Sequence, residues 1–350
     1  MGNRAFTTVP STEVHEYVRA LNQKLGYQYL EKLGGGKVVK TCLCRYKGEG
    51  NCILIVYAKP AGISGSDLDA RLGPFISRLE EINETVNLFT HPGVITRRFI
   101  HETKQALYFS RQYFAFNLFD RFHVRPFFSQ VDKHWIAYQL LQATYQLHKS
   151  GIHHGGIKCE NILTTTWNWL FVTDISFYKP VYLPADNPST YNTFFDTEKQ
   201  RTVQACYLAP ERFYDSNVGS PLDSKLTEEM DIFAVGCCIA EIFLEGSVIF
   251  DYSQMLRYRM GDYSPEDTLK KIGNPHVRAI IRHMIQLDPK KRLKAEQYLG
   301  IAECEGEIGD SIKAIFPPYE TTLPTHAKKQ RDSKSNYIRN NNDDSYDQKK

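Results

Sequence analysis

The chain of 350 residues suits one large domain or two modest ones. Its 42% hydrophobic and 24% charged residues are an ordinary globular balance, which excludes wholesale disorder. Basic residues number 43 against 40 acidic ones, and a net charge of +3 over this length does not point to nucleic acid as a partner.

Residues 1–26 read as an extension with one short helix, Thr12 to Leu25. Strand signals follow. Tyr27 to Leu33 runs into Gly34-Gly35-Gly36, Val38 to Tyr46 ends in the turn Lys47-Gly48-Glu49-Gly50, and Cys52 to Ala58 comes next. Apolar and β-branched runs bounded by glycine are the pattern of paired strands. A helix over Ser66 to Asn87, disturbed by Gly73-Pro74, leads to two more strands near 93–100 and 106–113. From about Leu118 the pattern turns helical. Ile136, Leu140, Ala143 and Leu147 make one apolar stripe within Lys133 to Ser150, with Gly151 as its stop. Two short strands, 162–165 and 170–173, flank Thr166-Trp167-Asn168-Trp169, and 175–208 reads as a long irregular stretch with three prolines. Helices resume at about Glu228. Residues 321–350 are a polar tail that cannot bury enough apolar surface to order itself.

Strands first and helices second predict an α+β chain in two lobes, a β-rich one over about 27–113 and a helical one over about 118–320. The most apolar stretch, 232–250, is broken by Glu241 and Glu245, where a membrane span needs about 18 uninterrupted apolar residues. No signal peptide is expected either, because the residues after Met1 have no apolar core. The eight cysteines show no Cys-x-x-Cys and no His at finger spacing. They are expected to be reduced core thiols of a cytoplasmic chain.

Three sets of residues carry chemistry. Gly34-Gly35-Gly36 between two strands suits close approach of backbone N–H groups to phosphate, or simply a hairpin turn. His154-Gly155-Gly156-Ile157-Lys158-Cys159-Glu160-Asn161 is followed thirteen residues later by Asp174. A lysine, an amide and a carboxylate on short loops suit a nucleotide phosphate with Mg²⁺, for which Asn161 and Asp174 offer hard oxygen ligands. Singly, Asn161 would fix a loop and Asp174 would cap a turn. Ala209-Pro210-Glu211, Asp231 and Arg292 form the third set. Carboxylates in apolar segments need partners, so a Glu211–Arg292 ion pair and an Asp231 holding backbone N–H groups are expected as structural staples.

In order and spacing these sets resemble the protein-kinase signature over about residues 27–320. Gly2-Asn3, Arg125-Pro126-Phe127, His148-Lys149-Ser150-Gly151, Thr165-Thr166-Trp167-Asn168-Trp169, Tyr182-Leu183-Pro184-Ala185-Asp186-Asn187-Pro188, Phe194-Phe195-Asp196-Thr197 and Ala209-Pro210-Glu211-Arg212-Phe213 narrow the likeness. They resemble the kinase-like regulatory subunits of the class III phosphatidylinositol 3-kinase complex, the vacuolar-protein-sorting-fifteen family. The resemblance implies a two-lobed protein-kinase-like fold and Mg²⁺ with ATP or GTP as cofactor. It implies Gly34, Gly36, Lys158, Asn161 and Asp174 as nucleotide-binding positions. As partners it implies the class III lipid kinase and its complex members at endosomal and autophagic membranes.

The departures from the pattern decide what chemistry to expect. The base position, two residues before Lys158, is Gly156, and Gly155 stands where an arginine is usual. Aligned on Glu49-Gly50, the strand-lysine position is Ile55. Lys59 lies four residues further, roughly 13 Å along a strand, and only a shifted register would bring it in. No helix glutamate can be placed as its partner; Glu80 and Glu81 come late. The metal triplet reads Asp174-Ile175-Ser176, and Val39 holds the third glycine position. A phosphotransfer-deficient regulatory module is therefore expected, with an active Ser/Thr kinase using divergent residues as the alternative.

Gly2 is expected to carry an acyl chain by the family resemblance, although Phe6 stands where the acylation motif wants Ser or Thr. One chain holds a membrane only marginally. Lys328, Lys329, Arg331 and Lys334 offer a second contact with anionic lipid, or a solvated tail. Family members continue into helical repeats and a propeller, which are absent from these residues, so a fragment, a paralogue or a truncated gene are all open.

Overall fold

The computed structural model describes residues 17–19, 21, 25–34, 39–48, 50–59, 65–89, 93–195, 205–221 and 225–316. Gly2, Thr12, Gly35, Gly36, Asp196 and the tail with Lys328, Lys329, Arg331 and Lys334 lie outside the described residues.

The first lobe is an antiparallel sheet of β1 (Tyr27–Gly34), β2 (Val39–Tyr46), β3 (Gly50–Ala58), β4 (Arg98–Glu102) and β5 (Ala106–Gln112), in the order β1-β2-β3-β5-β4. Period-two alternation sorts β3 into two faces. Ile53, Ile55 and Tyr57 pack against Phe75 and Leu79, whereas Leu54 and Val56 pack with Cys42, Cys44 and Tyr108 beneath Tyr17, Val18 and Leu21 of the extension. Both faces are thus covered, which is why β3 reads as a continuous apolar run.

The helix α1 (Gly65–Asn87) runs through Pro74, which corrects the expected disturbance. Phe75, Leu79, Ile82 and Val86 are buried at helical spacing while Pro74 faces solvent. Four apolar side chains at about 1.5–3 kcal/mol each outweigh a proline cost of about 3 kcal/mol.

A second correction bears on the site. Residues 93–97 are not part of β4, which begins at Arg98. They attach to the other lobe instead. Val94 bridges Val172, Ile95 N–H donates to Val172 O at 2.8 Å, and Val172 N–H donates to Gly93 O at 2.8 Å. Gly93 permits this because a Cβ there would lie 2.8 Å from Ala143 Cβ on the helix behind it.

The second lobe opens with β6 (Phe116–Asn117), α2 (Leu118–Phe122) and α3 (Gln130–Lys149). Ser129 and Asp132 form a capping box on α3, and Ile136, Leu140, Ala143 and Leu147 are all buried along it. The strands β7 (Ile162–Thr164) and β8 (Leu170–Val172) form a hairpin that pairs with β6.

The stretch expected to be irregular contains two elements. They are β9 (Leu183–Pro184), paired in parallel with β10 (Phe213–Tyr214), and α4 (Ser189–Phe194). The strand partner lies far along the chain, so no local periodicity announces it. Next comes α5 (Glu228–Phe243), buried from Met230 to Ile242, as the lobe's central helix. The remaining helices are α6 (Tyr252–Met260), α7 (Glu266–Leu269), α8 (Pro275–Met284), α9 (Ala295–Tyr298) and α10 (Gly306–Ile315).

Cys42, Cys44, Cys159, Cys206, Cys237 and Cys238 are buried free thiols. Among the described residues no helix is long and apolar enough to cross a membrane.

Candidate functional site

The loop between α3 and β7 hangs on one carboxylate. Asp231, in the first turn of α5, accepts from His154 N–H at 2.7 Å, from Gly155 N–H at 2.8 Å and from His148 Nε2 at 3.1 Å. Burial opposes its ionisation, but the His148 hydrogen bond and charge outweigh that and hold it below the usual carboxylate range. His154 is buried in turn. Its Nδ1 accepts from Gly156 N–H at 3.2 Å, so Nε2 carries the proton and donates to Thr173 O at 2.9 Å. The loop and the end of β8 are thereby locked side by side.

This lock makes stability pH-dependent. Burial lowers the pKa of His154, and lowers those of the half-buried His153 and His283 as well. Folded-state pKa values below the unfolded value of about 6.5 mean that the unfolded chain takes up protons first. The histidine contribution is complete above about pH 6.5 and is lost as the pH falls through the depressed folded values. Asp174 and Asp231 add their loss only below about pH 4. Urea midpoints are expected to begin falling near pH 6.5 and to go on falling down to about pH 5.5. A flat profile over that window would contradict the burial of these rings.

Gly156, the position of the missing base, is closed as well as bare. A Cβ there would lie 2.5 Å from Ser176 Oγ and 3.0 Å from Ser176 Cβ. Ser176 Oγ is itself tied to Asp174 O at 2.8 Å. The loop lysine, Lys158, is half-buried at the start of a 3-10 turn over Cys159–Asn161. The Asn161 side chain donates through Nδ2 to Gly156 O at 2.9 Å, and its main-chain carbonyl accepts from Thr173 N–H at 2.9 Å.

Ile55 is buried on the α1 face of β3, an apolar group at the strand-lysine position. Lys59 falls just past the end of β3 and forms an ion pair with Glu102 of β4. Its register is not shifted into the cleft. Glu81 pairs with Arg78 on the surface of α1 at 2.6 Å.

Asp174 has an unforeseen partner. Arg97 donates to its Oδ1 through Nε at 3.0 Å and Nη2 at 2.8 Å, and also to the Tyr57 hydroxyl. The pairing of Val94 with Val172 delivers Arg97 to this spot, two residues beyond the end of β8. Burial would raise the Asp174 pKa, but Arg97 and then Arg111 bring it down to about 2. Both bonds fall on Oδ1, so one oxygen of the Asp174 carboxylate, expected to serve a metal with Asn161, already carries a guanidinium. Among the described residues no group of three His, Cys, Asp or Glu side chains could hold a metal.

Glu211 and Arg292 meet through two hydrogen bonds of 2.6 and 2.9 Å, and Arg292 also reaches Gln286 O and Glu229 O. Arg212 binds Gly155 O at 2.9 Å, Val181 O at 2.8 Å and Pro180 O at 3.1 Å, which joins the loop to the segment after β8. Gly34 ends β1 opposite Thr41. Sequence reasoning missed Arg97, Tyr57 and the role of Arg212. For Arg97 the available signal was the pair Arg97-Arg98 set between the apolar pairs Val94-Ile95 and Phe99-Ile100.

The sequence pattern of the protein kinase domain matches residues 27–301. The chain is 42% identical over 325 residues to the serine/threonine-protein kinase VPS15 of Arabidopsis thaliana, covering 92% of this chain and 21% of that protein. It is 40% identical over 321 residues to the probable serine/threonine-protein kinase vps15 of Dictyostelium discoideum, covering 91% of this chain and 15% of that one. Identity to the serine/threonine-protein kinase VPS15 of Saccharomyces cerevisiae is 38% over 295 residues, covering 83% and 19%. The chain spans about a fifth or less of the length of these relatives.

Proposed function

The chain belongs to the protein kinase family, and from that premise we propose that it is a kinase fold deficient in phosphotransfer and regulatory in role. It acts with a class III phosphatidylinositol 3-kinase in endosomal sorting and autophagy, held peripherally on those membranes by an acyl chain on Gly2. The observation that carries the loss of chemistry is Gly156, where the base is absent and Ser176 fills the space a side chain would need. Similarity to the VPS15 proteins supports the choice of partner. Their names, which say serine/threonine-protein kinase, favour the second possibility of an active kinase with divergent residues.

One preparation separates the two. The chain purified from its own cells is expected to bring down phosphatidylinositol 3-kinase activity and to transfer no label from ATP to protein. Its intact mass is expected to include one saturated acyl group. Robust protein phosphorylation lost in Asp174→Ala would favour the active kinase. Absence of lipid kinase would defeat the regulatory role.

A further inference from the structure

The chain has three tryptophans, Trp135, Trp167 and Trp169, and they are exposed to 38%, 82% and 54%. Single exposed apolar residues are ordinary, whereas a contiguous group of large ones marks a contact surface. Trp135 and Tyr138 stack at 5.9 Å between ring centroids, and Trp169 meets Trp135 edge-on at 5.5 Å. Val131, also exposed, precedes Trp135 by one turn of α3. Val131, Trp135 and Tyr138 therefore line the face of α3 turned away from its buried stripe, where a surface helix ordinarily carries charge.

This aromatic ledge is held rigidly. In the turn between β7 and β8, Thr165 N–H donates to Trp169 O at 3.0 Å and Thr165 Oγ1 accepts from Trp169 N–H at 3.1 Å. Asn168 in that turn has φ 57°. It is tied to α3 twice, because its Nδ2 donates to Asp132 Oδ1 at 2.9 Å and its carbonyl accepts from Gln139 Nε2 at 2.8 Å. Gln139 Oε1 in turn accepts from Leu170 N–H at 3.0 Å. The turn is thus fixed against the helix, and a preorganised surface spends little on ordering when it is covered.

Beside the ledge lies the end of α10. Phe316, where the described residues end, packs against Tyr138 at 6.0 Å between ring centroids and has left the helical region, with φ −122° and ψ 71°. A residue before proline is held out of that region in this way, and the sequence continues Pro317-Pro318-Tyr319-Glu320-Thr321-Thr322-Leu323-Pro324. Three prolines in these eight residues favour polyproline II, a conformation recognised by exposed aromatic rings. Eight residues of it reach about 25 Å, further than the steps from Phe316 over Tyr138 and Trp135 to Trp169 together. Residues from 321 onward do not order themselves, but a preformed surface can order such a segment.

We propose that residues 317–324 dock along this ledge as an extended strap, with their prolines and Leu323 against the tryptophans and Tyr138. A short tether holds the segment at about millimolar effective concentration, so modest contacts are enough to keep it in place. The inference does not rest on the regulatory role, since the contact is read on the chain alone.

Because the ledge carries every tryptophan, the intrinsic fluorescence of the full chain reads it directly. The parent is expected to emit to the blue of a combined Pro317→Ser, Pro318→Ser and Leu323→Ser variant and to be quenched less by acrylamide, with melting by circular dichroism to confirm that the variant is folded. A peptide of residues 317–324 at about millimolar concentration, the level the tether supplies, is expected to restore the parent spectrum in the variant. Equal emission and quenching in parent and variant overturn the proposal, as does a variant that the peptide leaves unchanged. A blue shift that grows with protein concentration would give the ledge to a second copy, and one that needs anionic vesicles would give it to lipid; either result overturns the strap. A benzophenone side chain placed at position 319 of the otherwise unaltered chain is expected to cross-link to residues 131–138 or 165–169. Cross-links only elsewhere overturn the proposal.

Discussion

Gly156→Asp alone is expected to leave the chain without measurable phosphotransfer, although it restores the residue type of a kinase base. Loss of a positioned base costs about 10²–10⁴ in rate. Loss of an electrostatic clamp, here the strand lysine replaced by Ile55, costs about 10²–10³. The two do not simply add, but from a usual turnover of roughly 1–100 s⁻¹ either one leaves a poor enzyme.

The new side chain also has no room. Its Cβ would lie 2.5 Å from Ser176 Oγ, so the variant is expected to lose about 1–3 kcal/mol of stability. Pairing it with Ser176→Gly relieves the contact and should recover most of that loss. Only a combination that also includes Ile55→Lys and Arg97→Leu supplies a base, a phosphate clamp and a free metal ligand together. That variant is expected to exceed the parent by about 10² or more in transfer from labelled ATP to a generic protein substrate. Kinase-like rates from Gly156→Asp alone would show that the missing base was the whole defect.

Asp231→Ala is expected to cost about 3–5 kcal/mol in urea unfolding. Three donors, from His154, Gly155 and His148, would lose one buried acceptor at once. No water-filled alternative is at hand, since Asp231 is 2% exposed. Asp231→Asn keeps an acceptor oxygen but turns an N–H₂ toward the remaining donors, so it should fall between parent and alanine variant. A cost below about 1 kcal/mol for the alanine variant would mean that the loop is held by its other bonds, chiefly Arg212 to Gly155 O.

The hairpin of β2 and β3 and the buried stripe on α3 were legible because local spacing encodes them. Glycine turns bound the strands, and Ile136, Leu140, Ala143 and Leu147 follow the helical period. The continuity of α1 through Pro74 was not legible, because a proline penalises the helix locally while the apolar contacts that outweigh it come from distant segments, the sheet for Phe75 and Leu79 and the core of the second lobe for Ile82 and Val86. The same holds for β9, whose partner β10 comes from a distant segment.

The site divides along the same line. Which chemical groups the cleft lacks is written in the sequence. Gly156 has no side chain and Ile55 has no charge, and folding changes neither covalent fact. What Asp174 touches was decided only by tertiary structure. Arg97 lies 77 positions earlier in the chain and belongs to no motif. It reaches the carboxylate because Gly93 allows its strand of backbone to settle against α3 and pair with β8. Spacing along a chain reports neighbours within a turn or a hairpin. A buried ion pair between two lobes is set by the packing that brings distant segments together, and the low polarity there makes that one contact dominate the charge of the site.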